Sequence, residues 1–381
     1  MLRKLPRLLH LRAEINPLFA LAGLHDGRDR RRVLEAELLR DIGRPAPPGA
    51  LGEEERRRMV VDLSWRLTLQ WPHLVNTVDL DELLSLVDQA VPSDGSHHDA
   101  VGVQLSVLAA QRRRGALVDP RYYDLPAPAA ARFLEEDRGA GAAPAVGPPG
   151  EAVVEMPPFV TLDRWEQPSA EQLREWPLVV TTPRCAFRLE FMRDLFPGAE
   201  LRVVHLTRNP GASVNGLVDG WRHHGFFNCP VPEGLAIDGY SDVVPGGDRW
   251  WCYDFPPGWE AWTAAPLEDV CAYQWWATHV AAIEACDRMG VSPLRLRFED
   301  VVGPREARTK VSAALAPLLG VPETRLRHVL AADLPVVMAT AEPAPARWRS
   351  RGEALREVLR EATQLELAAS LGYARSGAGW V

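Results

Sequence analysis

The sequence predicts an α/β protein in which helices cover a mostly parallel sheet, and three observations carry that prediction. Short apolar, β-branched runs occur at 177–182, 201–207 and 293–300, which is typical of buried parallel strands. Helical segments separate these runs, and strand–helix–strand alternation favours right-handed crossovers between parallel strands. The 381 residues, with 46% hydrophobic and 25% charged content, are sufficient for a large buried core.

Composition divides the chain into three parts. Residues 1–136 are predicted to be mostly helical, because stretches such as RRRVLEAELLRDIG space their apolar side chains at helical intervals. Residues 137–152 are rich in Gly, Pro and Ala, which predicts a linker or loop. Residues 153–381 carry the predicted strands and a helical C-terminal segment, and we expect the whole chain to form one integrated domain.

Three helices are predicted within the last part. PRCAFRLEFMRDLFPG, residues 183–198, follows the first strand as a helix. A long helix at about 267–289 begins after Pro266 and ends at Gly290. Ser350 and Glu353 have the spacing of a capping box, which predicts the start of a C-terminal helix.

Charge and cysteine content exclude several classes of protein. The net charge of −8 favours neither nucleic acid nor an anionic membrane as a partner, so any anion site must be local. Five cysteines without a CxxC pair predict a reduced, cytoplasmic protein without a zinc site. We find no apolar run that predicts a signal peptide or a membrane span, and we expect no integral membrane association. The sequence does not predict the oligomeric state.

The stretch HLTRNPGAS predicts an anion site at the end of a strand. Ligands of open α/β sheets gather at the carboxyl ends of the strands, where Arg208 stands. The helix that follows would offer free N–H groups to an anion, and Ser213 and Asn215 would add hydrogen bonds. The alternative is that Arg208 pairs with a carboxylate and that Asn-Pro forms an ordinary turn.

Histidines follow directly, in the stretch GWRHHGFF. Because histidine titrates near neutral pH, His223 or His224 could act as a general base. Equally, both could be helix-end residues packed on neighbouring aromatic rings. His205, in the middle of a predicted strand, is interpreted as a buried, hydrogen-bonded residue.

The stretch DRWWCYDFPPGWEAW is unusually aromatic. Trp250, Trp251 and Trp259 are candidate substrate-binding residues, since dense aromatics in a loop suit a flat or apolar ligand or a lid over one. The alternative is a loop that its aromatic side chains attach to the core.

Two further stretches contain arginine. In RWRSRGE, Arg347, Trp348 and Arg349 could clamp a phosphate and stack on a base. In RFEDV, Arg297 and Glu299 stand at a predicted strand end, where a structural ion pair is the favoured interpretation.

These stretches together resemble the sulfotransferases that use 3′-phosphoadenylyl sulfate (PAPS), over roughly residues 150–381. The resemblance is carried by FPGAELRVVHLTRNPGASVNGLVDGW, LRLRFEDVVGPREARTKVSAALAPLLGVP and RWRSRGE. In that family an R-[ND]-P turn holds the 3′-phosphate, a [YF]-E-D strand end follows a long helix, and a basic C-terminal loop closes on the nucleotide. The resemblance implies a P-loop-type sheet with helices on both faces. It also implies metal-independent transfer of a sulfuryl group to a hydroxyl or amine of a small-molecule or lipid-like acceptor.

The resemblance assigns roles to individual positions. Arg208 matches the arginine of the 3′-phosphate site, and the serine usual eight residues later is Gly216 here, so that Ser213 and Asn215 would substitute for it. Arg347 and Arg349 match the closing loop. Thr181 stands where the family often has a lysine.

The clearest departure from the family lies at the N-terminus. The loop P-R-S-G-T-T, which cradles the 5′-phosphosulfate, has no counterpart in the sequence. Residues 1–19 resemble the helix that follows this loop, which would make Glu14 a general base and would place the loop upstream of Met1. Alternatively the loop is lost, and the chain is a catalytically inactive protein that binds a nucleotide or a partner. The family is common in bacterial secondary metabolism.

Overall fold

The structure is a computed structural model, and it describes about half of the chain. The described residues are 5–10, 60, 63, 67, 80–90, 168–181, 183–223, 228–231, 233–244, 246–332 and 340–374. Most of the predicted helical part, 1–136, and all of the predicted linker, 137–152, lie outside these residues.

The described strands form three two-stranded sheets. Their bounds are β1 Leu9–His10, β2 Leu178–Val179, β3 Val204–Thr207, β4 Asn228–Pro230, β5 Trp250–Cys252 and β6 Leu294–Arg297. β1 pairs with β2 and β3 pairs with β6, both in parallel, whereas β4 and β5 are antiparallel. The prediction of an α/β protein with parallel strands is therefore confirmed.

The helices lie mainly between and after these strands. Their bounds are α1 Leu80–Ala90, α2 Ala170–Glu175, α3 Leu189–Leu195, α4 Pro210–Trp221, α5 Leu267–Met289, α6 Phe298–Val302, α7 Arg305–Leu319, α8 Glu323–Ala331, α9 Gly352–Val358 and α10 Ala362–Ser370. Three 3₁₀ turns complete the described elements, at Pro183–Phe187, Trp259–Trp262 and Arg347–Arg351.

Helix α5 has the predicted bounds, and the physical signals at its ends explain why. Pro266 is its N-cap, and Gly290 ends it with a left-handed φ of 65°, where its N–H bonds back to the last turn. The predicted helix 183–198 is instead a 3₁₀ turn followed by α3, with Arg188 between them as the N-cap of α3.

Two further details differ from the predictions, although the predicted C-terminal helix does form, as α9. Residues 9 and 10 lie in β1 rather than in a helix, next to Leu5 and Leu8, which are buried in a core shared with β6 and α7. No capping box forms at Ser350, because this residue lies in a 3₁₀ turn and its hydroxyl donates to the carbonyl of Arg347 at 2.9 Å.

One large hydrophobic core organises the described residues. It contains side chains of α4, α5, β5, α9 and α10, together with Leu63, Leu67 and Leu83 from the N-terminal part. A second, smaller core lies among β6, α7 and α8. The N-terminal part thus packs directly on the C-terminal half.

Several absences hold for the described part of the chain. No helix there is long and apolar enough to cross a membrane. No group of three or more His, Cys, Asp or Glu side chains is placed there to bind a metal ion. None of the five cysteines, each within the described ranges, forms a disulfide.

Candidate anion-binding site

The candidate site lies where β3 and β6 end. The two strands are parallel, with Thr207 opposite Arg297, so their carboxyl ends meet at one edge. Arg208 follows β3 directly, and Asn209 is the N-cap of α4. The backbone N–H of Asn209 donates to Oε1 of Glu299 at 2.7 Å, which joins the start of α4 to the residues after β6.

The first turn of α4 offers fewer N–H groups than the sequence suggested. Pro210 has none, the N–H of Ala212 bonds to Oδ1 of Asn209 at 3.0 Å, and that of Ser213 bonds to the Asn209 carbonyl at 2.8 Å. Gly211 is the remaining residue of this turn, and it is buried. The expectation of free amides at this helix end is therefore wrong, and side chains must provide the charge of any anion site here.

Arg208 is the side chain best placed to do so. It is exposed, its guanidinium carbon lies 5.0 Å from the centre of the Phe298 ring, and Nη1 lies 3.7 Å from where a Cβ at Gly216 would stand. Among the described residues, no carboxylate lies within ion-pair distance of it. The alternative in which Arg208 serves a structural ion pair therefore lacks its partner.

Burial and neighbouring charged groups shift the pKa of Arg208. Partial desolvation lowers the pKa of the Arg208 guanidinium; the charge of Glu299 opposes this effect, and the charge of Arg347 adds to it. The influence of Arg347 shows that the C-terminal arginines come close to the end of β3.

These arginines belong to residues 347–351, which we call the basic loop. Arg347 forms an ion pair with Oδ2 of Asp219, and Nη2 of Arg351 lies 2.7 Å from Oδ1 of the same carboxylate. Arg349 is exposed, with its guanidinium carbon 5.8 Å from the centre of the Trp348 ring. The loop that resembles the family's closing loop thus lies on α4.

Trp348 is buried rather than open to a base. Its exposed fraction is 6%, and its ring lies so close to Gly211 that a Cβ there would be 2.9 Å from the indole. Packing on α4, rather than the predicted stacking on a base, accounts for its position, and glycine at 211 allows it.

Ser213 and Asn215, the two predicted hydrogen-bonding residues, differ in availability. The Ser213 hydroxyl donates weakly to the carbonyl of Arg208 at 3.4 Å and is half-buried. Asn215 is buried, its Oδ1 accepts from Arg351, and its Nδ2 donates to Asp219 at 3.5 Å. Ser213 therefore stays available beside Gly216, whereas the Asn215 amide is engaged by the basic loop.

A polar cluster behind Arg208 supports the strand ends. The Tyr373 hydroxyl donates to Oε2 of Glu299 at 3.0 Å, and its ring lies 4.7 Å from the Arg297 guanidinium. Burial raises the pKa of Tyr373 to about 12, so it remains a donor. Arg297 and Glu299 approach to 3.9 Å, which confirms the interpretation of RFEDV as a structural ion pair.

Of the three candidate bases, one lies within the described residues. His223 follows the C-terminal end of α4, its backbone N–H bonds to the Gly220 carbonyl at 3.0 Å, and its side chain is half-buried. Burial lowers the pKa of His223, which favours the neutral form that accepts a proton. Glu14 and His224 lie outside the described residues.

The candidate substrate-binding tryptophans lie in the core. The exposed fractions of Trp250, Trp251 and Trp259 are 5%, 0% and 7%. Trp251 makes edge contacts with Trp221 and Trp259, at ring separations of 5.1 and 5.3 Å. This packing favours the alternative in which the aromatic side chains attach residues 250–262, the aromatic loop, to the core.

Sequence reasoning missed two polar features near the site. Asp219 received no role, although Gly211, Asn215 and Asp219 recur every four residues and so share one face of α4. The second feature is the buried pairing of Arg188 with Asp254, to which both terminal nitrogens of Arg188 donate. No local sequence pattern indicates this pairing, because 66 residues separate Arg188 from Asp254.

His205 is the buried, hydrogen-bonded residue that its position in the strand predicted. Its Nε2 lies 2.8 Å from Nδ1 of His279 on α5, and the residue is 8% exposed.

Comparison with known proteins gives the site no assignment. No protein-family model, no curated protein and no solved structure matches this chain.

Proposed function

We propose that the protein is a PAPS-dependent sulfotransferase whose nucleotide site lies at the end of β3. The observation that carries this proposal is Arg208. It is an exposed guanidinium at the carboxyl end of a parallel strand, beside the open surface at Gly216, with no carboxylate in ion-pair reach among the described residues. The sequence resemblance assigns the 3′-phosphate of the nucleotide to this position.

The charge of the surrounding residues suits a doubly charged phosphate. The basic loop and the end of β3 contribute Arg208, Arg347, Arg349 and Arg351, against the single carboxylate of Asp219 on the face of α4 where the loop lies. Even when Glu299, whose charge also acts on Arg208, is added to Asp219, the four arginines outnumber the carboxylates here, although the whole chain carries −8. Such a local excess attracts an anion to one place on an otherwise acidic protein.

PAPS would supply an activated sulfuryl group, and the acceptor would be a small or lipid-like hydroxyl or amine. In the transfer, the acceptor oxygen or nitrogen forms a bond to sulfur while the bond from sulfur to the phosphate oxygen breaks. The acceptor's proton goes to a general base, and adenosine 3′,5′-bisphosphate leaves. Arginines stabilise the charge on the departing phosphate, as they do in phosphoryl transfer.

His223 is the described residue that suits the general base. Helix α4 has 12 residues and is about 18 Å long, so Arg208 and His223 lie at opposite ends of it. In the proposed reaction they contact different groups, because Arg208 holds the 3′-phosphate and the base contacts the acceptor. Glu14 and His224 are the other two candidates for this role.

The proposal includes a P-loop-type fold. Such a fold requires the parallel pairs β1–β2 and β3–β6 to belong to one sheet. The parallel pairing within both pairs supports this arrangement, because a single parallel sheet requires it.

A calorimetric titration with adenosine 3′,5′-bisphosphate tests the nucleotide site. We expect micromolar binding by the wild-type chain and a loss of at least tenfold in Arg208→Ala, because a charged hydrogen bond contributes about 1.5–3 kcal/mol. Arg360→Ala is the matched control, since it removes an exposed arginine that pairs only with Glu357 on α9. Equal affinities of the two variants would refute the assignment of Arg208.

The variant Gly216→Ser tests the same site by a gain of affinity. Its Cβ would lie 3.7 Å from Nη1 of Arg208, so the hydroxyl would stand where the family carries its serine. We expect affinity to rise by up to about tenfold. Gly216→Ala, which adds the Cβ without the hydroxyl, is the control.

The inactive nucleotide-binding protein is the alternative. A transfer assay with radiolabelled PAPS and a panel of phenols, sugars, amines and sterols separates the two. Turnover that Arg208→Ala lowers supports the enzyme, whereas tight nucleotide binding without turnover supports the alternative.

A further inference from the structure

Three contacts fix the basic loop on one face of α4. Trp348 covers Gly211, Arg351 donates to Asn215, and both Arg347 and Arg351 pair with Asp219. Gly211, Asn215 and Asp219 are four residues apart, so the contacts follow the helix axis over two turns. Arg347 and Arg351 show the same spacing, which lets one carboxylate engage both.

The contacts are also well protected from water. The Asp219 side chain is 11% exposed, and those of Arg347 and Arg351 are 35% and 28% exposed. Ion pairs in this range keep more of their Coulomb energy than fully exposed pairs do. Removal of the carboxylate would leave two guanidinium groups facing each other without a counter-charge.

We infer that Asp219 is a positioning residue that holds the basic loop on α4 before any nucleotide binds. Asp219 supplies, from within the protein, the counter-charge that keeps Arg347 and Arg351 on α4. The loop is therefore part of a preformed site: Arg347 and Arg351 are engaged by Asp219, while Arg208 and Arg349 face the solvent. The part of this inference that concerns ligand affinity rests on the proposed function; the part that concerns the loop does not.

Hydrogen exchange in the ligand-free protein tests the loop directly. We expect the amides of residues 346–352 to be protected in the wild-type chain and to exchange at least tenfold faster in Asp219→Asn. Asp219→Glu, which keeps the charge, should recover most of the protection. Glu357→Gln is the matched control, because it makes the same chemical change at an exposed pair with Arg360, and it should leave these amides unchanged.

A second variant removes the other partner of the contact. Arg351→Gln leaves α4 intact and should release the same amides, whether or not Asp219→Asn folds. If both variants keep wild-type protection in residues 346–352, the inference is overturned. The same conclusion follows if adenosine 3′,5′-bisphosphate is needed to protect these amides in the wild-type chain.

The affinity for adenosine 3′,5′-bisphosphate provides the second readout. In the Asp219→Asn variant, the basic loop would have to become ordered when the nucleotide binds. We therefore expect the variant's affinity for adenosine 3′,5′-bisphosphate to fall by about tenfold. In the complex, the amides of residues 346–352 should again be protected from exchange. A rise in affinity would overturn the inference, since it would show that Asp219 competes with the ligand. If the wild-type chain binds no nucleotide, the proposed function fails, and exchange in the ligand-free variants still decides the role of Asp219.

Discussion

The aromatic loop and the basic loop both stand out in the sequence, yet the structure uses them in opposite ways. Trp250, Trp251 and Trp259 of the aromatic loop are buried in the main core. The basic loop buries one tryptophan, Trp348, leaves Arg349 exposed and pairs the half-buried Arg347 and Arg351 with Asp219. Apolar rings gain free energy wherever they leave water, whereas a guanidinium is stable at the surface or beside a carboxylate. Dense aromatics are therefore weaker grounds for a site than an exposed cation without a counter-charge.

The largest expected effect tests whether the aromatic loop is part of the core. Trp251→Ala should lower the free energy of unfolding by about 4 kcal/mol, because it empties a fully buried ring site. Denaturant unfolding measures this loss. Val243→Ala, at a side chain that is 59% exposed, is the control and should cost about 0.5 kcal/mol or less. If the Trp251→Ala variant folds with unchanged stability and loses only turnover of the acceptor, the aromatic loop is part of the substrate site instead.

The next effect concerns β3, which carries Arg208 at its end and His205 in its interior. Burial and the charge of Arg295 lower the pKa of His205 to about 4, and burial and His205 lower that of His279 to about 3. Below the ordinary value of about 6.5, the unfolded chain takes up protons that the folded protein refuses, so stability falls as pH falls from 6.5 towards 4. Each histidine should lower the free energy of unfolding by about 2 kcal/mol at pH 5 relative to pH 7.

Urea unfolding of the wild-type chain and of His279→Gln at both pH values checks this expectation. The variant should lose about half of the pH dependence. An unchanged difference between pH 7 and pH 5 would show that the His205–His279 contact is not the cause.

Two glycines on α4 test how the basic loop packs on this helix. Gly211→Ala should cost about 2 kcal/mol, because its Cβ would stand 2.9 Å from the buried Trp348 indole. Gly216→Ala has room, with 3.7 Å to Arg208, and should stabilise the helix by up to about 1 kcal/mol. Melting temperatures of the two variants should therefore move in opposite directions, and a shift in the same direction would contradict the docking of Trp348 on α4.

The smallest stability effect is expected at Arg208, the residue that carries the proposed function. Arg208→Met should change the free energy of unfolding by about 0.5 kcal/mol or less, since Arg208 lies exposed at the site edge. Arg188→Met, which leaves the buried Asp254 without its bidentate partner, should cost about 4 kcal/mol. Comparable losses in the two variants would show that Arg208 is structural after all.

Several elements were predictable because their signals are local. Pro266 and Gly290 determine the ends of α5, and the run at 201–207 contains the parallel strand 204–207. The expectation that this strand is buried is wrong, since Val204 and Leu206 are 40% and 51% exposed. The break of the 183–198 helix and the strand at 9–10 were not predictable, because both depend on distant partners. Arg188 donates hydrogen bonds to Asp254, which lies 66 residues later in the chain. Leu8 belongs to the hydrophobic core that also contains Leu296 of β6.

The residues of the candidate site could be named from the sequence, but their contacts could not. Arg208 and the arginines of the basic loop could be named from the sequence because of residue type and position after a strand. The engagement of Asn215 and the burial of Trp348 could not, since both result from contacts over more than 130 residues of chain. Asp219 was missed for the same reason.

The sequence by itself determined the alternation of strands and helices, the ends of α5 and the arginine after β3, because periodicity, caps and residue chemistry act within a few residues. The tertiary structure alone decided which aromatic rings are core and which arginines already have a counter-charge. Burial and ion pairing are properties of neighbours in space, and Arg347 and Arg351 pair with Asp219, which lies more than 120 residues earlier in the chain.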